Sequence, residues 1–291
     1  MPSSNRRGLI AMLIAVAALS LMDAGLKILS PHYPALQITS IRGFSALPLT
    51  LVWVYLRGGF GQLVNVRAKL HLLRAVLGVT MLSLFAYALR HLSLADAYTI
   101  FFVSPVFIAV LAATILHERV DARRWIAIGA GFAGVVLVLR PSGAGVLSAP
   151  GLAVLGTAAL YAGSAITVRI LGRTDSTQSM VFWLMTMMGV VAGALALPQW
   201  KPIDPSHWLV IGGIALTGSL GQWAITEAFK HGEPSFVAPF EYTALAWGVG
   251  LDWFVWKTFP APITFVGAAV IIASGVYLVR RERVHLEAEH P

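Results

Sequence analysis

The sequence predicts an all-α polytopic membrane protein of ten transmembrane helices, arranged as two inverted five-helix repeats. Three observations carry this prediction. First, the 291 residues are 57% hydrophobic and only 12% charged, about half the charge of an ordinary soluble protein. The mean hydropathy is +0.77, so most of the surface must face lipid. Second, ten apolar stretches of membrane-spanning length use up nearly the whole chain, leaving no room for a sizeable domain outside the bilayer. Third, short segments recur in the two halves at a constant offset.

The spans fall at 8–29, 35–57, 70–91, 95–116, 125–140, 151–172, 177–199, 207–229, 235–257 and 262–279. The first follows Arg6-Arg7 and runs on with no small-residue cleavage site, so it reads as a retained span rather than a signal peptide. The second carries Arg42 about a third of the way in. Spans 4 and 9 contain Ser104-Pro105 and Ala238-Pro239, where proline removes a ladder hydrogen bond and bends or breaks the helix. Spans 5 and 10 are short and rich in small residues, as in Gly129-Ala130-Gly131, which lets helices approach closely in lipid.

Lysine and arginine set the orientation. With a cytoplasmic N-terminus, 15 of them lie on the cytoplasmic side, among them Arg57, Arg67, Lys69, Arg74, Arg124 and Arg173. Five lie on the other side, including Lys27, Arg90 and Lys201. This bias follows the positive-inside rule and puts both termini in the cytoplasm. It also accounts for the net charge of +8 without nucleic acid, for which no basic, aromatic-interleaved module is present. The chain has no cysteine, which excludes disulfides, thiolate catalysis and cysteine-bound metal. No cofactor or metal is expected. The expected partners are a small-molecule substrate and the lipid bilayer, with a monomer as the unit.

The repeat is read from three matches in register. Ala24–Leu29 parallels Ile166–Leu171, Ala88–His91 parallels Ala228–His231, and Gly134–Val138 parallels Gly275–Val279, all at offsets of 140 to 142 residues. The halves are therefore 1–145 and 146–291. Five spans is an odd number, so the second half must enter the membrane from the opposite side. Inverted repeats are a common design of secondary transporters, whose substrate sites lie near the midplane between the halves.

With those features in order, the chain resembles the drug/metabolite transporter superfamily, of the ten-helix EamA type, over about residues 8 to 281. The matching features are Arg42, Pro105, His117-Glu118-Arg119 at the end of span 4, Trp125 and the glycine-rich run of span 5. In the second half they are Ala238-Pro239 through Tyr242, Gly267 and Gly275–Leu278. One departure is that Lys257 stands where Glu118 stands in the first half. Within the superfamily, the aromatic inventory is similar to that of the YddG-type exporters of aromatic and hydrophobic amino acids. The resemblance implies export of neutral or aromatic amino acids across a bacterial inner membrane by alternating access. It also implies that spans 4 and 6 line the central cavity.

Ionisable residues inside a span are functional candidates because burying a charge in hydrocarbon is costly. Arg42 is expected either to meet a substrate carboxylate or to pair with Asp23 or a carbonyl and lock helices together. Asp23 and Lys27 stand at i, i+4 on one helix, the favourable order for a local ion pair. Glu227 and Glu241 are placed near cytoplasmic helix ends within reach of solvent, and Glu118 beside arginines in a short loop. With Pro105 and Pro239, these residues form the gating and coupling set. The substrate-contact set is Tyr98, Phe101, Phe102, Tyr161, Trp183, Trp223 and Tyr242, with Ser164, Gln222 and Arg42. Tyrosine and tryptophan at membrane depth need partners for their polar atoms, which a wet cavity supplies.

Within transport, the competing readings are a multidrug exporter of lipophilic cations and a carrier of nucleosides or other metabolites. An intramembrane enzyme and a membrane scaffold are more remote. His117-Glu118 lacks the second histidine of a zinc-protease helix, so the chain is not expected to be an enzyme.

Overall fold

The computed structural model describes residues 3–257, with the exception of 65, 93, 119 and 140–146, together with the isolated residues 270 and 273. The tenth expected span lies outside the described residues. Every regular element among the described residues is helical. These are α1 (Ser3–Leu29), α2 (Ala35–Leu56), α3 (Ala68–Leu89), α4 (Leu94–Phe101), α5 (Ser104–Ile115), α6 (Ala122–Leu139), α7 (Ala149–Leu171), α8 (Thr177–Ala196), α9 (Trp208–His231), α10 (Pro234–Val237) and α11 (Ala244–Trp256). Six helical segments are long and apolar enough to cross a membrane: Ser4–Leu29, Ala35–Leu56, Ala68–Leu89, Ala149–Leu171, Thr177–Gln199 and Pro205–His231. Their outward faces carry exposed leucines, such as Leu56, Leu72, Leu216 and Leu209, the last 88% exposed. Contiguous apolar surface on this scale is a lipid-facing surface.

Several hydroxyls inside these helices are satisfied locally, as hydrocarbon favours. Thr39, Thr50, Thr157, Thr167 and Thr226 each donate to the carbonyl four residues earlier. Ser148 and Ser176 cap α7 and α8, accepting from the amides of Gly151 and Ser179. Such caps satisfy first-turn amides that have no partner within the helix.

The helices pair across the two halves: α1 with α9, α2 with α8, and α3 with α7. Small residues set how closely they cross. A Cβ added to Gly43 on α2 would lie 2.7 Å from the Gly189 Cα and 2.8 Å from the Met185 carbonyl oxygen on α8. Backbones meet this closely only where side chains are absent.

The connections sort onto two faces. The start of α1, the α2–α3, α5–α6 and α7–α8 connections and the end of α9 gather on one face. They are tied there by Arg7–Glu227, Gln62–Ser176, Lys230–Asp175 and Glu118–Ser235 hydrogen bonds. This basic face carries Arg6, Arg57, Lys69 and Arg173. On the opposite face, Arg90 donates to the carbonyls of Ser30 and Tyr33, and Gln37 to that of Lys201.

Spans 4 and 9 are discontinuous. Span 4 breaks at Phe102–Val103, where Ser104 and Pro105 open α5. Span 9 begins as the single turn of α10, tightens to a 3₁₀ segment over Ala238–Thr243 containing Pro239, and continues as α11. Proline cannot donate to the turn before it, so both breaks follow from the sequence. The two broken spans also end alike. His117 has φ 55° and Lys257 has φ 57°, 140 residues apart. After α5 the Glu118 amide reaches back past the left-handed His117 to the Ala112 carbonyl at 3.1 Å, closing the helix end. Lys257 thus shares the left-handed backbone conformation of His117, one position before Glu118.

Candidate functional site

One cavity of about 150 Å³ lies between the paired helices at mid-depth. It draws on α1 (Asp23), α2 (Arg42), α3 (Arg74, Phe85), α7 (Tyr161, Ser164), α9 (Gln222, Phe229), and the breaks of span 4 (Phe101, Phe102) and span 9 (Glu241). Both breaks border the cavity, where irregular backbone is tolerated at membrane depth.

Two carboxylate–tyrosine pairs stand in its wall. Tyr98 Oη donates to Asp23 at 2.9 Å, joining spans 4 and 1. Tyr161 Oη donates to Glu241 at 2.8 Å, and Ser104 Oγ to the same carboxylate at 3.3 Å, joining spans 6 and 9. The rings continue the wall: Phe85 stacks on Tyr98 at 6.5 Å, and tilted contacts join Tyr98 to Phe102 at 6.0 Å and Phe101 to Tyr161 at 5.2 Å.

Two arginines complete it. Arg42 is 4% exposed. It donates to Gln222 Oε1 at 3.2 Å and contacts Met22 Sδ at 3.1 Å, with Asp23 as its charged neighbour. Arg74 is 1% exposed and donates to the Met180 carbonyl at 2.8 Å and to Thr226 Oγ1 at 3.1 Å. Gln222 Nε2 in turn donates to Thr226 Oγ1 at 3.4 Å, so one polar ladder on α9 links the two guanidiniums.

The cavity therefore brings together Asp23, Arg42, Tyr98, Phe101, Phe102, Tyr161, Ser164, Gln222 and Glu241. The structure corrects the expected setting of several other residues. Glu241 is 4% exposed rather than solvated at a helix end, because the 3₁₀ segment turns it inward. Trp183 lies at the basic face, donating to the Leu63 carbonyl at 3.2 Å. Trp223 faces away from the cavity and meets Trp53 edge-on at 6.1 Å. Tyr242 sits behind the wall, its hydroxyl donating to the Ile128 carbonyl at 3.3 Å and its ring against Phe102. Lys27 lies a turn beyond Asp23 and does not line the cavity, and Pro105 and Pro239 are buried in their breaks. Arg74, counted among loop charges in the sequence, lies six residues inside α3 and in the wall. The signal was present, since it falls inside the third apolar stretch as Arg42 falls inside the second.

The remaining acids form a network on the basic face. Glu227 takes hydrogen bonds from Arg7 at 2.7 Å and from Thr177. Asp175 pairs with His71 at 2.7 Å. Partial burial lifts its carboxyl, but hydrogen bonds from Thr174, His71 and the Arg67 amide outweigh this and hold it below the usual range. Arg124 bridges Glu233 and Ser235, and Ser235 also donates to Glu118 at 2.9 Å. Burial pushes the Glu118 carboxyl up, opposed by the Ser235 hydrogen bonds.

Crossed apolar helices enclosing a charged, aromatic-walled cavity define a multi-pass membrane transport protein. Residues 6–140 and 149–281 each match the profile of the EamA-like transporter family. The chain belongs to that family. A riboflavin transporter of Vibrio cholerae is 31% identical over 73% of this chain and 72% of its own length. A pseudopaline exporter of Pseudomonas aeruginosa is 26% identical, covering 96% of this chain and 98% of that protein. An S-adenosylmethionine uptake transporter of Rickettsia prowazekii is 24% identical over 97% and 96%. One solved crystal structure shares the fold with a TM-score of 0.80 at 15% identity, covering 97% of this chain and 99% of that one.

Proposed function

We propose that this chain is a secondary transporter of a bacterial inner membrane. In this reading it exports small zwitterionic metabolites with a flat apolar group, neutral aromatic amino acids first among them, by alternating access. Its two halves, 1–145 and 146–291, are inverted repeats. The helix pairing supports this symmetry. Exchanging the halves turns the pair of spans 1 and 8 into the pair of spans 6 and 3, and leaves spans 2 and 7 paired with each other. The breaks in spans 4 and 9 and the left-handed residues that end them, 140 apart, support it as well.

The observation that carries the substrate reading is the meeting of Arg42 and Asp23 in one aromatic wall. A guanidinium receives a carboxylate in bidentate fashion, an acid receives an ammonium, and stacked rings accept a flat side chain. Counterflow in proteoliposomes against amino acids, nucleosides and cationic dyes tests it. Labelled phenylalanine is expected to exchange in the wild type, and Arg42→Ala to lower that exchange more than about tenfold at unchanged folded yield. Exchange of dyes alone refutes the reading. A flat heteroaromatic substrate is the second reading, favoured by the continuous ring wall and the riboflavin transporter relatives. Preference for nucleosides or flavins over amino acids in the same panel selects it.

A further inference from the structure

Arg74 is a buried cation whose counter-charge the described protein does not supply. The acids around it are committed elsewhere. Asp175 is taken by His71, one turn away on the same helix, and Glu227 by Arg7 and Thr177. Across the cavity, Glu241 is held by Tyr161 and Ser104, and Asp23 by Tyr98. What Arg74 does have is one carbonyl and one hydroxyl, while its buried Nε has no partner. A guanidinium offers five N–H donors, and a charge taken from water with neither a counter-ion nor a full set of acceptors is heavily penalised. A structural staple between α3, α8 and α9 could be made by a neutral amide at lower cost. The residue lies in the wall of the cavity, so an anion entering there can supply both the charge and the missing acceptors.

Arg74 is also not alone. Its Thr226 anchor and the Gln222 anchor of Arg42 are four residues apart on α9, about 6 Å of helix rise. The two guanidiniums therefore stand roughly one turn apart along one cavity. Arg42 is balanced by Asp23, whereas Arg74 is not.

We propose that Arg74 is a specificity-determining residue that receives a second anionic group on the cargo, so that the preferred substrate is a zwitterion bearing two carboxylates, or an equivalent pair of anionic groups, on a flat apolar frame. This rests on the carrier reading above and narrows its substrate class. The cation has no counterpart at the expected repeat offset: 140 to 142 residues on from Arg74 stand Ile214, Ala215 and Leu216.

The test compares phenylalanine with 4-carboxyphenylalanine, which differ by one carboxylate. Two readouts on the full chain are used: competition of labelled phenylalanine counterflow in proteoliposomes, and ligand-induced thermal shift of the purified protein. In the wild type the dicarboxylate is expected to half-saturate both at an about tenfold lower concentration, the factor of one charge-assisted contact. Arg74→Gln is expected to erase that preference, bringing the half-saturating concentrations of the two ligands within about twofold of each other. Arg74→Lys, which keeps the charge without the fork, is expected to retain part of it. Equal response to the two ligands in the wild type overturns the proposal, whichever variants fold. So does an Arg74→Gln protein that weakens both ligands alike, since that is how a staple behaves. If phenylalanine does not exchange but the dicarboxylate still stabilises the wild type and not Arg74→Gln, the anion site stands and the neutral amino acid reading fails.

Discussion

Tyr98 and Tyr161 each give a phenolic hydrogen to a carboxylate on another helix, with the roles reversed between the halves. In the first half the acid is on span 1 and the phenol on span 4; in the second the phenol is on span 6 and the acid on span 9. Asp23 and Tyr161 stand 138 residues apart, and Tyr98 and Glu241 stand 143 apart, close to the offset of 140 to 142 expected for a repeat. Each pair bridges a continuous span and a broken one, and on the proposed carrier reading it is a latch that cargo competes for. Tyr98→Phe and Tyr161→Phe keep the ring wall and remove only the donor. A lost hydrogen bond to a buried acid costs about 1–3 kcal/mol. Each variant is expected to lower the initial transport rate per reconstituted protein about tenfold without changing the amount in the membrane. Unchanged rates in both variants remove the latches from the transport cycle. Which aromatic residues line the cavity was partly legible in the sequence. The depth of an aromatic follows from its position along a span, but its direction does not. Helices that are apolar all round have no polar face to fix their rotation. Trp183, Trp223 and Tyr242 share the cavity's neighbourhood in sequence but point elsewhere for that reason.

At the scale of the element, α2 and α8 cross where Gly43 and Gly189 leave their backbones uncovered. These two helices form one of the three helix pairs on which the bundle is built. Gly43→Ala puts a methyl group against backbone that has no flexible side chain to move aside. Overpacking of this kind costs about 1–3 kcal/mol. The expected outcome is a lower thermal midpoint and a lower folded yield in detergent, in contrast to the tyrosine variants. Gly129, where an added Cβ meets nothing within 4 Å, is the control that should tolerate alanine. The continuous spans were legible because a run of 20 or more apolar residues has few alternatives. The broken spans announced themselves only through Pro105 and Pro239. Proline marks where a helix is interrupted, but not that the interruption turns Glu241 inward.

On the basic face, the α7–α8 connection is locked by Asp175, which ties it to α3 through His71 and to α9 through Lys230. Its carboxyl is held below the ordinary value of 3.8. A group whose pKa is lower folded than unfolded stabilises the fold fully above the unfolded value, and loses that contribution as pH falls through the folded one. Asp175→Asn is therefore expected to lower the thermal midpoint at pH 7 by about 3 °C. The gap to wild type should close as pH is taken below about 4. A gap that persists unchanged into acid would assign the loss to packing instead.

For the whole molecule, the sorting of connections onto two faces makes orientation a single question, and the absence of cysteine makes it easy to ask. Every introduced thiol is unique. Arg6, Arg57 and Arg173 are exposed on the basic face, and Leu147 and Lys201 are exposed on the opposite one. Positive charge is retained in the cytoplasm during insertion, so Arg6→Cys, Arg57→Cys and Arg173→Cys should resist an impermeant maleimide in intact cells and react once the cells are opened. Leu147→Cys and Lys201→Cys should react in intact cells. The reverse pattern inverts the molecule in the membrane and turns the proposed export into uptake for the same cavity geometry. A cysteine at Pro291 reads the parity of the spans. Labelling from the same side as Arg6 is required by two copies of an odd-numbered bundle, since two odd counts sum to an even one. Labelling from the opposite side leaves an odd total, removes the inverted relation between the halves, and leaves the seam in which Asp23, Arg42, Arg74 and Glu241 meet without the symmetry that alternating access exploits.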